Sequence, residues 1–301
     1  MIAFLFPGQG SQAVGMGRAF YESSAAARRV FDEANDALGM DLRRVMFEGP
    51  EADLALTASV AAAAACAERG MKPALAAGHS LGEYSALVVA GALSLADAVR
   101  VVRRRGEFMQ AAVPVGTGAM AAVMGVGLDV VEQVCADAAK GEVVDIANVN
   151  SEQQIVIAGH KTAVERAVML AKDRGGRKSV LLPVSAPFHC ALMSPAAERL
   201  ADELAKVTVS DPRIPVVRNV DGGLTRTAAD VVPFLLRQVA SPVRWTACVQ
   251  RLASEGATAL VEVGPGRVLT GLAKRIVEGL PAVSVEDPAG LDKALAALAA
   301  A

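Results

Sequence analysis

The chain has 301 residues, of which 53% are hydrophobic and 21% charged, and its formal net charge is −2. A chain of this length and composition can bury the core of one large globular domain or of two modest ones. Aromatic residues make up 4% of the sequence. The balanced charge and the scarcity of aromatic rings argue against a nucleic-acid partner, which would favour a basic face and stacking side chains.

The four cysteines stand far apart and form no C-x-x-C pair, so neither a zinc site nor a disulfide framework is expected. Reduced thiols in a cytoplasmic protein are the simpler interpretation. The first residues show no basic segment followed by a long apolar one, and a secretory signal is therefore not predicted. No run of about 18 apolar residues is free of charge, which predicts that the chain does not cross a membrane.

Short apolar runs alternate with segments of helical period along the chain. Strands are predicted at residues 2–6, 74–77, 119–124, 145–149, 154–158, 179–183, 215–218 and 259–263. Helices are predicted at residues 83–90, 95–112, 130–139, 163–174, 196–206 and 231–238. Continuous apolar strands between helices are typical of a mainly parallel sheet covered on both faces, which predicts an α/β fold.

Residues 116–183 have an order of their own, which is strand, helix, strand, strand, helix, strand. This is the order of a ferredoxin-like unit. We therefore predict a larger α/β-hydrolase-like domain, formed by residues 1–115 and 190–301, with a mainly parallel sheet. A small ferredoxin-like subdomain, residues 116–189, is inserted into it, and the cleft between the two is the expected site.

Residues 78–82 read G-H-S-L-G and lie between a predicted strand and a predicted helix. The G-x-S-x-G pattern is that of a nucleophile elbow, in which glycines permit a sharp turn and the serine lies at the positive end of the next helix. Ser80 is then the candidate nucleophile, and the amide of Leu81 would face the oxyanion of an attacked carbonyl. The same pattern also occurs at ordinary strand–helix junctions.

A serine hydroxyl needs a base to react near neutral pH, and the chain has three histidines. His79 adjoins Ser80, and its side chain should leave the turn in another direction, whereas His160 is predicted in a turn of the small subdomain. His189 lies where the small subdomain returns to the large one, and it is the best candidate base. A buried structural histidine is the alternative.

An α/β-hydrolase would carry an acid to orient the histidine. Asp129 and Asp145 lie between Ser80 and His189 in the sequence, but neither has a distinctive local setting. A neutral group, such as a backbone carbonyl, is therefore expected to orient the imidazole.

Several separated motifs resemble those of one known family. They are F-P-G-Q-G-S-Q at 6–12, G-H-S-L-G-E-Y-S-A-L at 78–87, R-R-G at 104–106, G-T-G-A-M-A at 116–121, N-V-N-S at 148–151, I-A-G-H at 157–160, P-F-H-C-A-L-M at 187–193 and V-G-P-G at 263–266. In this order, over nearly the whole chain, they resemble the malonyl-CoA:acyl carrier protein transacylases of fatty acid synthesis. The resemblance implies an acyltransferase that passes malonyl from malonyl-CoA to a serine, and then to the phosphopantetheine thiol of acyl carrier protein.

The resemblance also implies a role for each matching position: nucleophile Ser80, base His189, oxyanion hole Gln9 and Leu81, malonate-binding Arg105, and Gln238 as the carbonyl that orients the histidine. A guanidinium suits selection for malonate, because it can pair with a carboxylate through two parallel hydrogen bonds. Residues 103–105 are also a run of arginines, for which a solvated helix face is the alternative. Protein groups fill every catalytic role, so no cofactor or metal is expected, and the chain is expected to act as a monomer.

One departure from the family pattern follows the E-G-P turn at residues 48–50. A segment that usually includes Thr-Gln-Pro-Ala is missing there, and the chain is short by roughly two helical turns. A catalytically impaired relative, owing to the short 50–60 region, is therefore one competing function. A malonyltransferase that serves a polyketide synthase in trans is a second, and a serine thioesterase or hydrolase is a third. Arg105 favours transfer over hydrolysis.

Overall fold

The strands and helices below come from a computed structural model that describes residues 1–41 and 55–299. The strands are β1 Ile2–Phe6, β2 Leu75–Gly78, β3 Gly118–Met124, β4 Val144–Ser151, β5 Gln154–His160, β6 Lys178–Leu181, β7 Val216–Val217, β8 Leu224–Thr225, β9 Ala259–Val263 and β10 Ala282–Val285. The helices are α1 Arg18–Ser23, α2 Ala25–Leu38, α3 Ala55–Glu68, α4 Leu81–Val89, α5 Leu95–Ala111, α6 Leu128–Ala139, α7 Lys161–Asp173, α8 Ser194–Leu204, α9 Ala228–Val239, α10 Trp245–Ser254, α11 Val268–Ile276 and α12 Pro288–Ala299. Of the short 50–60 region, residues 50–54 lie outside the described residues, and residues 55–60 belong to α3.

The larger sheet has the strand order β10-β9-β1-β2-β7-β8, and its pairs are parallel apart from β7 with β8. Helices cover both faces, which is why β1 is apolar at every position. Phe4 and Phe6 point into the core that contains α2 and α3, whereas Ala3 and Leu5 point into the core that contains Trp245.

The smaller sheet has the strand order β4-β5-β3-β6 and is antiparallel throughout. Apolar side chains of α6 and α7 pack on one of its faces. Met120 and Ala122 lie on the opposite face and pack with Cys190. A mainly parallel larger sheet with a separate antiparallel sheet in the ferredoxin-like strand order confirms the predicted fold class. The predicted domain boundaries at residues 115/116 and 189/190 stay a prediction.

A short backbone connection joins the two sheets. The amide of Val243 donates to the carbonyl of Ala147 over 2.9 Å, and the amide of Val149 donates to the carbonyl of Val243 over 2.9 Å. Val243 lies just before α10, whose buried side chains pack on the larger sheet, whereas Ala147 and Val149 belong to β4. The relative position of the sheets is therefore fixed by main-chain hydrogen bonds as well as by packing.

Several elements differ from their predictions. Strand β6 ends at Leu181 instead of residue 183, because Pro183 has no N–H with which to continue the ladder. His160, predicted in a turn, is the last residue of β5, where it pairs with Gly118 and its ring accepts a hydrogen bond from the amide of Val143. The short strands β8 and β10 were not predicted. Among the helices that the structure describes, none combines the length and apolar character needed to cross a bilayer.

Gly82 gives a test of the packing between α4 and β1. A Cβ on Gly82 would lie 2.1 Å from the carbonyl oxygen of Phe6, so Gly82→Ala is expected to lower the free energy of unfolding by about 2–3 kcal/mol. Gly271 is the matched control, since it lies in the exposed part of α11 with nothing within 4 Å of a Cβ. Gly271→Ala should raise stability by about 0.5–1 kcal/mol in the same urea titration. Equal effects of the two changes would contradict the close approach.

Candidate active site

Ser80 occupies a sharp turn between β2 and α4. Its φ is 54° and its ψ is −108°, a backbone conformation that residues other than glycine rarely adopt. The glycines on either side make this turn possible, because a Cβ on Gly78 would lie 1.9 Å from the main chain of Gly82. The turn places Ser80 at the N-terminus of α4, as a nucleophile elbow requires.

The loop after β1 packs directly against this elbow. Gly8 has no Cβ, and one placed there would lie 2.4 Å from the carbonyl oxygen of His79. The amide of His79 in turn donates to the carbonyl of Phe6 over 3.0 Å. This packing brings Gln9 into the wall of the cavity that also exposes Ser80, although Gln9 itself is solvent-exposed.

His189 meets Ser80 from the other side of the cleft. The distance from Ser80 Oγ to His189 Nε2 is 2.7 Å, and His189 Nδ1 lies 2.9 Å from the carbonyl oxygen of Gln238. A carbonyl can only accept, so Nδ1 carries the proton and Nε2 presents a lone pair to the serine hydroxyl. A neutral backbone carbonyl thus takes the place that an acid would have in a Ser-His-Asp triad.

The imidazole of His189 is buried, with 4% of its surface exposed. Burial lowers its pKa from 6.5 to about 3, and the nearby positive charge of Arg105 acts in the same direction. The ring is therefore neutral at physiological pH, which is the form a base needs. His189 also has a positive φ of 62°, so both members of the pair occupy strained backbone positions.

Arg105 lies in the site although it belongs to a run of arginines. Arg103 and Arg104 have side chains that are each 46% exposed and pair with Glu107, whereas Arg105 is 3% exposed. The difference follows from helical period, since Arg105 lies on the buried face of α5. Its Nη2 donates to Ser80 Oγ over 3.0 Å. A guanidinium is thus held beside the hydroxyl of the nucleophile.

The side chain of Gln238 connects Arg105 to a buried carboxylate. Its Oε1 accepts from Arg105 Nη2 over 3.1 Å, and its Nε2 donates to Glu83 Oε2 over 2.8 Å. Burial raises the pKa of Glu83 to about 7, against the opposing effect of the hydrogen bond from Gln238. Gln238 therefore acts through two groups, its carbonyl on the histidine and its amide between two charged residues.

A cavity of about 390 Å³ opens at the elbow, within the size range of small-molecule sites. Ser80, Arg105 and His189 are among its polar lining residues, and Phe188 is among its apolar ones. Across residues 1–41 and 55–299 no cluster of three or more His, Cys, Asp or Glu side chains could hold a metal ion.

The structure brings together four predicted residues by hydrogen bonds, namely Ser80, His189, Arg105 and Gln238. Leu81 is the first residue of α4, and Gln9 lines the cavity. His79 adjoins Ser80, but its Nε2 lies 2.9 Å from Asn150 Oδ1, in another direction.

Sequence reasoning missed Glu83 and Asn219, which are both buried and both bonded to the elbow region. A carboxylate three residues after the nucleophile, in a helix with no other charged residue, could have identified Glu83. Asn219 has no such signal, because it follows a strand of two residues and belongs to no motif.

This geometry, with a serine nucleophile, a histidine and a buried guanidinium in one cavity, agrees with the comparisons to known proteins. Residues 3–293 match the acyl transferase domain family, and the chain belongs to that family. It is therefore an acyltransferase. It is 50% identical to the malonyl CoA-acyl carrier protein transacylase of Salmonella typhimurium over 303 residues, 97% of this chain and 98% of that protein.

Solved structures give the same result. The acyl carrier protein S-malonyltransferase from Vibrio cholerae superposes with a TM-score of 0.94 and is 48% identical, over 97% of this chain and 99% of that one. A malonyl-transacylase solved in complex with its type II polyketide synthase acyl carrier protein is 45% identical, with a TM-score of 0.94 over 98% and 99% of the two chains.

The lowered pKa of His189 predicts a pH dependence of stability. Below about pH 6.5 the unfolded histidine binds a proton that the folded one does not bind until the pH approaches its folded pKa of about 3. Stability is therefore lost as the pH falls through this range. Relative to His189→Gln, which has no such proton to bind, the unfolding free energy of the parent should fall by roughly 1 kcal/mol per pH unit. Urea titrations between about pH 7 and pH 4 test this, and parallel curves would contradict it.

Proposed function

We propose that this acyltransferase moves a malonyl group from malonyl-CoA to the phosphopantetheine thiol of acyl carrier protein, through a malonyl ester on Ser80. The observation that carries this proposal is the position of Arg105, a buried guanidinium 3.0 Å from the hydroxyl of Ser80. Ser80, His189 and Arg105 thus provide a nucleophile, a base and an anion-binding group, in that order, in one cavity.

Arg105 supplies the selection for malonyl. Malonyl differs from acetyl by one carboxylate, which is separated from the reacting carbonyl by a single methylene group. A planar guanidinium can receive that carboxylate in two parallel hydrogen bonds, which an ammonium cannot do with the same geometry. Because Arg105 lies beside Ser80 Oγ, its guanidinium is close to where the carboxylate of an acyl group bonded to Ser80 would lie.

In the first half-reaction, Ser80 Oγ attacks the thioester carbonyl of malonyl-CoA while His189 Nε2 takes the hydroxyl proton. The resulting oxyanion is stabilised by the amides of Leu81 and Gln9. The C–S bond then breaks, and His189 returns the proton to the sulfur of coenzyme A as it leaves. The carbonyl of Gln238 holds the imidazole throughout and stabilises its protonated form.

The second half-reaction reverses these steps with a different thiol. The phosphopantetheine thiol of the carrier gives its proton to His189 Nε2, and its sulfur attacks the ester carbonyl. The C–O bond to Ser80 breaks, and His189 returns the proton to Ser80 Oγ. Each substrate therefore reacts with the enzyme in turn, and the expected kinetics are ping-pong.

The likeness to a malonyl-transacylase solved with a type II polyketide synthase carrier supports acyl carrier protein as the partner. The same cavity could serve a carrier of fatty acid or of polyketide synthesis, because the chemistry at Ser80 is identical. Hydrolysis would use the same Ser80 and His189, with water as the acceptor. A malonyl ester that persists without a carrier indicates a transferase, whereas one that is lost rapidly indicates a hydrolase.

We also infer that one chain is sufficient and that it works in the cytoplasm. Each residue assigned to the reaction comes from the same chain, so the chemistry needs no second subunit. The four cysteines are free and buried, which fits a reducing compartment.

Ser80→Ala tests the proposed nucleophile. After brief incubation with malonyl-CoA, intact-protein mass spectrometry should show a malonyl adduct on the parent and none on Ser80→Ala. Ser85→Ala is the matched control, because it removes a buried hydroxyl from the helix that follows Ser80 and should leave the adduct in place. Added carrier protein should discharge the adduct. An adduct that persists in Ser80→Ala would refute the assignment, and a folded parent without an adduct would indicate an impaired relative.

Arg105→Ala tests the selection for malonyl. Loss of the paired hydrogen bonds to the substrate carboxylate should lower kcat/KM for malonyl-CoA about a hundredfold, or about 3 kcal/mol. The ratio of acetyl to malonyl transfer should rise, since acetyl has no carboxylate to lose. Arg104→Ala is the control, because Arg104 is exposed and pairs with Glu107. An unchanged ratio in Arg105→Ala would place selection elsewhere.

A further inference from the structure

Asn219 binds the main chain on both sides of His79, immediately before the nucleophile. Its Oδ1 accepts from the amide of Ser80 over 2.7 Å, and its Nδ2 donates to the carbonyl of Gly78 over 2.7 Å. Asn219 is fully buried. One carboxamide therefore fixes the two peptide groups that lead into Ser80.

Two hydrogen bonds to the main chain of Asn219 hold this residue in place. Its amide donates to Glu83 Oε2 over 3.1 Å, and its carbonyl accepts from the amide of Arg244 over 2.8 Å. Glu83 belongs to α4, the helix that directly follows Ser80, and Arg244 directly precedes α10. Asn219 thus connects the elbow to two helices in addition to β7.

The carbonyl of Ser80 is held by a second side chain. Gln238 Nε2 donates to it over 3.0 Å, and the same nitrogen donates to Glu83 Oε2 over 2.8 Å. The main-chain amide and carbonyl of Ser80 are therefore both bound by buried carboxamide side chains. Asn219, which follows β7, binds the amide, and Gln238 of α9 binds the carbonyl. Glu83 accepts from both Asn219 and Gln238, so the two contacts share one carboxylate.

These bonds oppose the strain of the turn. A residue other than glycine at a positive φ costs about 1–3 kcal/mol and persists only where its surroundings enforce it. At a φ of 54°, Ser80 presents its Oγ to His189 Nε2 at 2.7 Å. Relaxation of the turn would move Oγ away from the base, and misplacement by about 1 Å can cost a hundredfold in rate.

We propose that Asn219 is a positioning residue, which holds Ser80 in its strained conformation so that the hydroxyl meets His189. It does so without touching the substrate. This inference rests on the proposed role of Ser80 as nucleophile. A buried asparagine that only added stability would not affect the reactivity of Ser80. Loss of Asn219 should instead lower the rate at which Ser80 reacts and leave substrate binding unchanged.

A fluorophosphonate probe measures the readiness of Ser80 to react independently of the natural substrate. In this reaction Ser80 Oγ forms a bond to phosphorus, the P–F bond breaks, fluoride leaves, and the hydroxyl proton passes to His189. The rate is followed by intact-protein mass spectrometry on the full chain, with Ser80→Ala as the blank.

Asn219→Ala should react with the probe about 10- to 100-fold more slowly than the parent. Its dissociation constant for coenzyme A, which has no acyl group to transfer to Ser80, should be unchanged, since Asn219 does not line the cavity. Arg166→Ala is the control for lost hydrogen bonds, because Arg166 binds the carbonyls of Ala138 and Ala139 in the small subdomain. It should react at the parent rate. Reaction of a folded Asn219→Ala within about twofold of the parent would overturn the proposal.

Asn219→Asp keeps an acceptor for the amide of Ser80 and loses the donor to Gly78, so its rate should fall between those of the parent and Asn219→Ala. Because position 219 is fully buried, burial should raise the pKa of the introduced carboxyl well above its usual range. Its protonation restores a donor, and the rate relative to the parent should therefore rise from about pH 9 to about pH 6. Should Asn219→Ala not fold, this variant decides, and a rate within about twofold of the parent across that range would overturn the proposal.

The outcomes also separate this inference from the proposed function. A parent that reacts with the probe but forms no malonyl adduct would refute the malonyl transfer and leave the role of Asn219 to be decided by its variants. A parent that forms the adduct, together with Asn219 variants of unchanged probe rate, would refute the role of Asn219 alone.

Discussion

The strained main chain at Ser80 is the constraint on which the other parts of the site depend. A serine at a φ of 54° needs glycine at positions 78 and 82, because a Cβ at either would overlap main-chain atoms. It also needs partners for the groups that the turn withdraws from regular structure. Asn219 and Gln238 supply them from two separate elements, and the sharp turn therefore depends on the tertiary fold as well as on its own sequence.

In this site one carboxamide side chain connects a buried guanidinium to a buried carboxyl group. Arg105 and Glu83 are both buried, and an unpaired buried charge would be costly. Gln238 lies between them and binds one with each end of its carboxamide. Because burial raises the pKa of Glu83 to about 7, its negative charge is only partial near neutrality. The guanidinium of Arg105 also donates to Ser80 Oγ, so its positive charge lies directly beside the nucleophile.

The sequence predicts those parts of the molecule that depend on local pattern. Ser80 could be found because the elbow needs its glycines at fixed spacing, and His189 because only three histidines were available. The burial of Arg105 could have been inferred from helical period, since its neighbours on the same face of α5 are apolar. Asn219 could not be found in this way, because its partners lie 139 and 141 positions away in the chain and no spacing rule connects them.

The site also depends on how the two sheets meet, because each contributes one member of the reacting pair. Ser80 follows a strand of the larger sheet, whereas His189 follows the last strand of the smaller one. The separation of 2.7 Å between them therefore reflects the position of one sheet relative to the other. Val243 bonds to β4, and Asp145 of β4 accepts from the amide of Ala191, two residues after the base. Strand β4 thus connects the larger sheet to the segment that carries His189, so it helps to position the base.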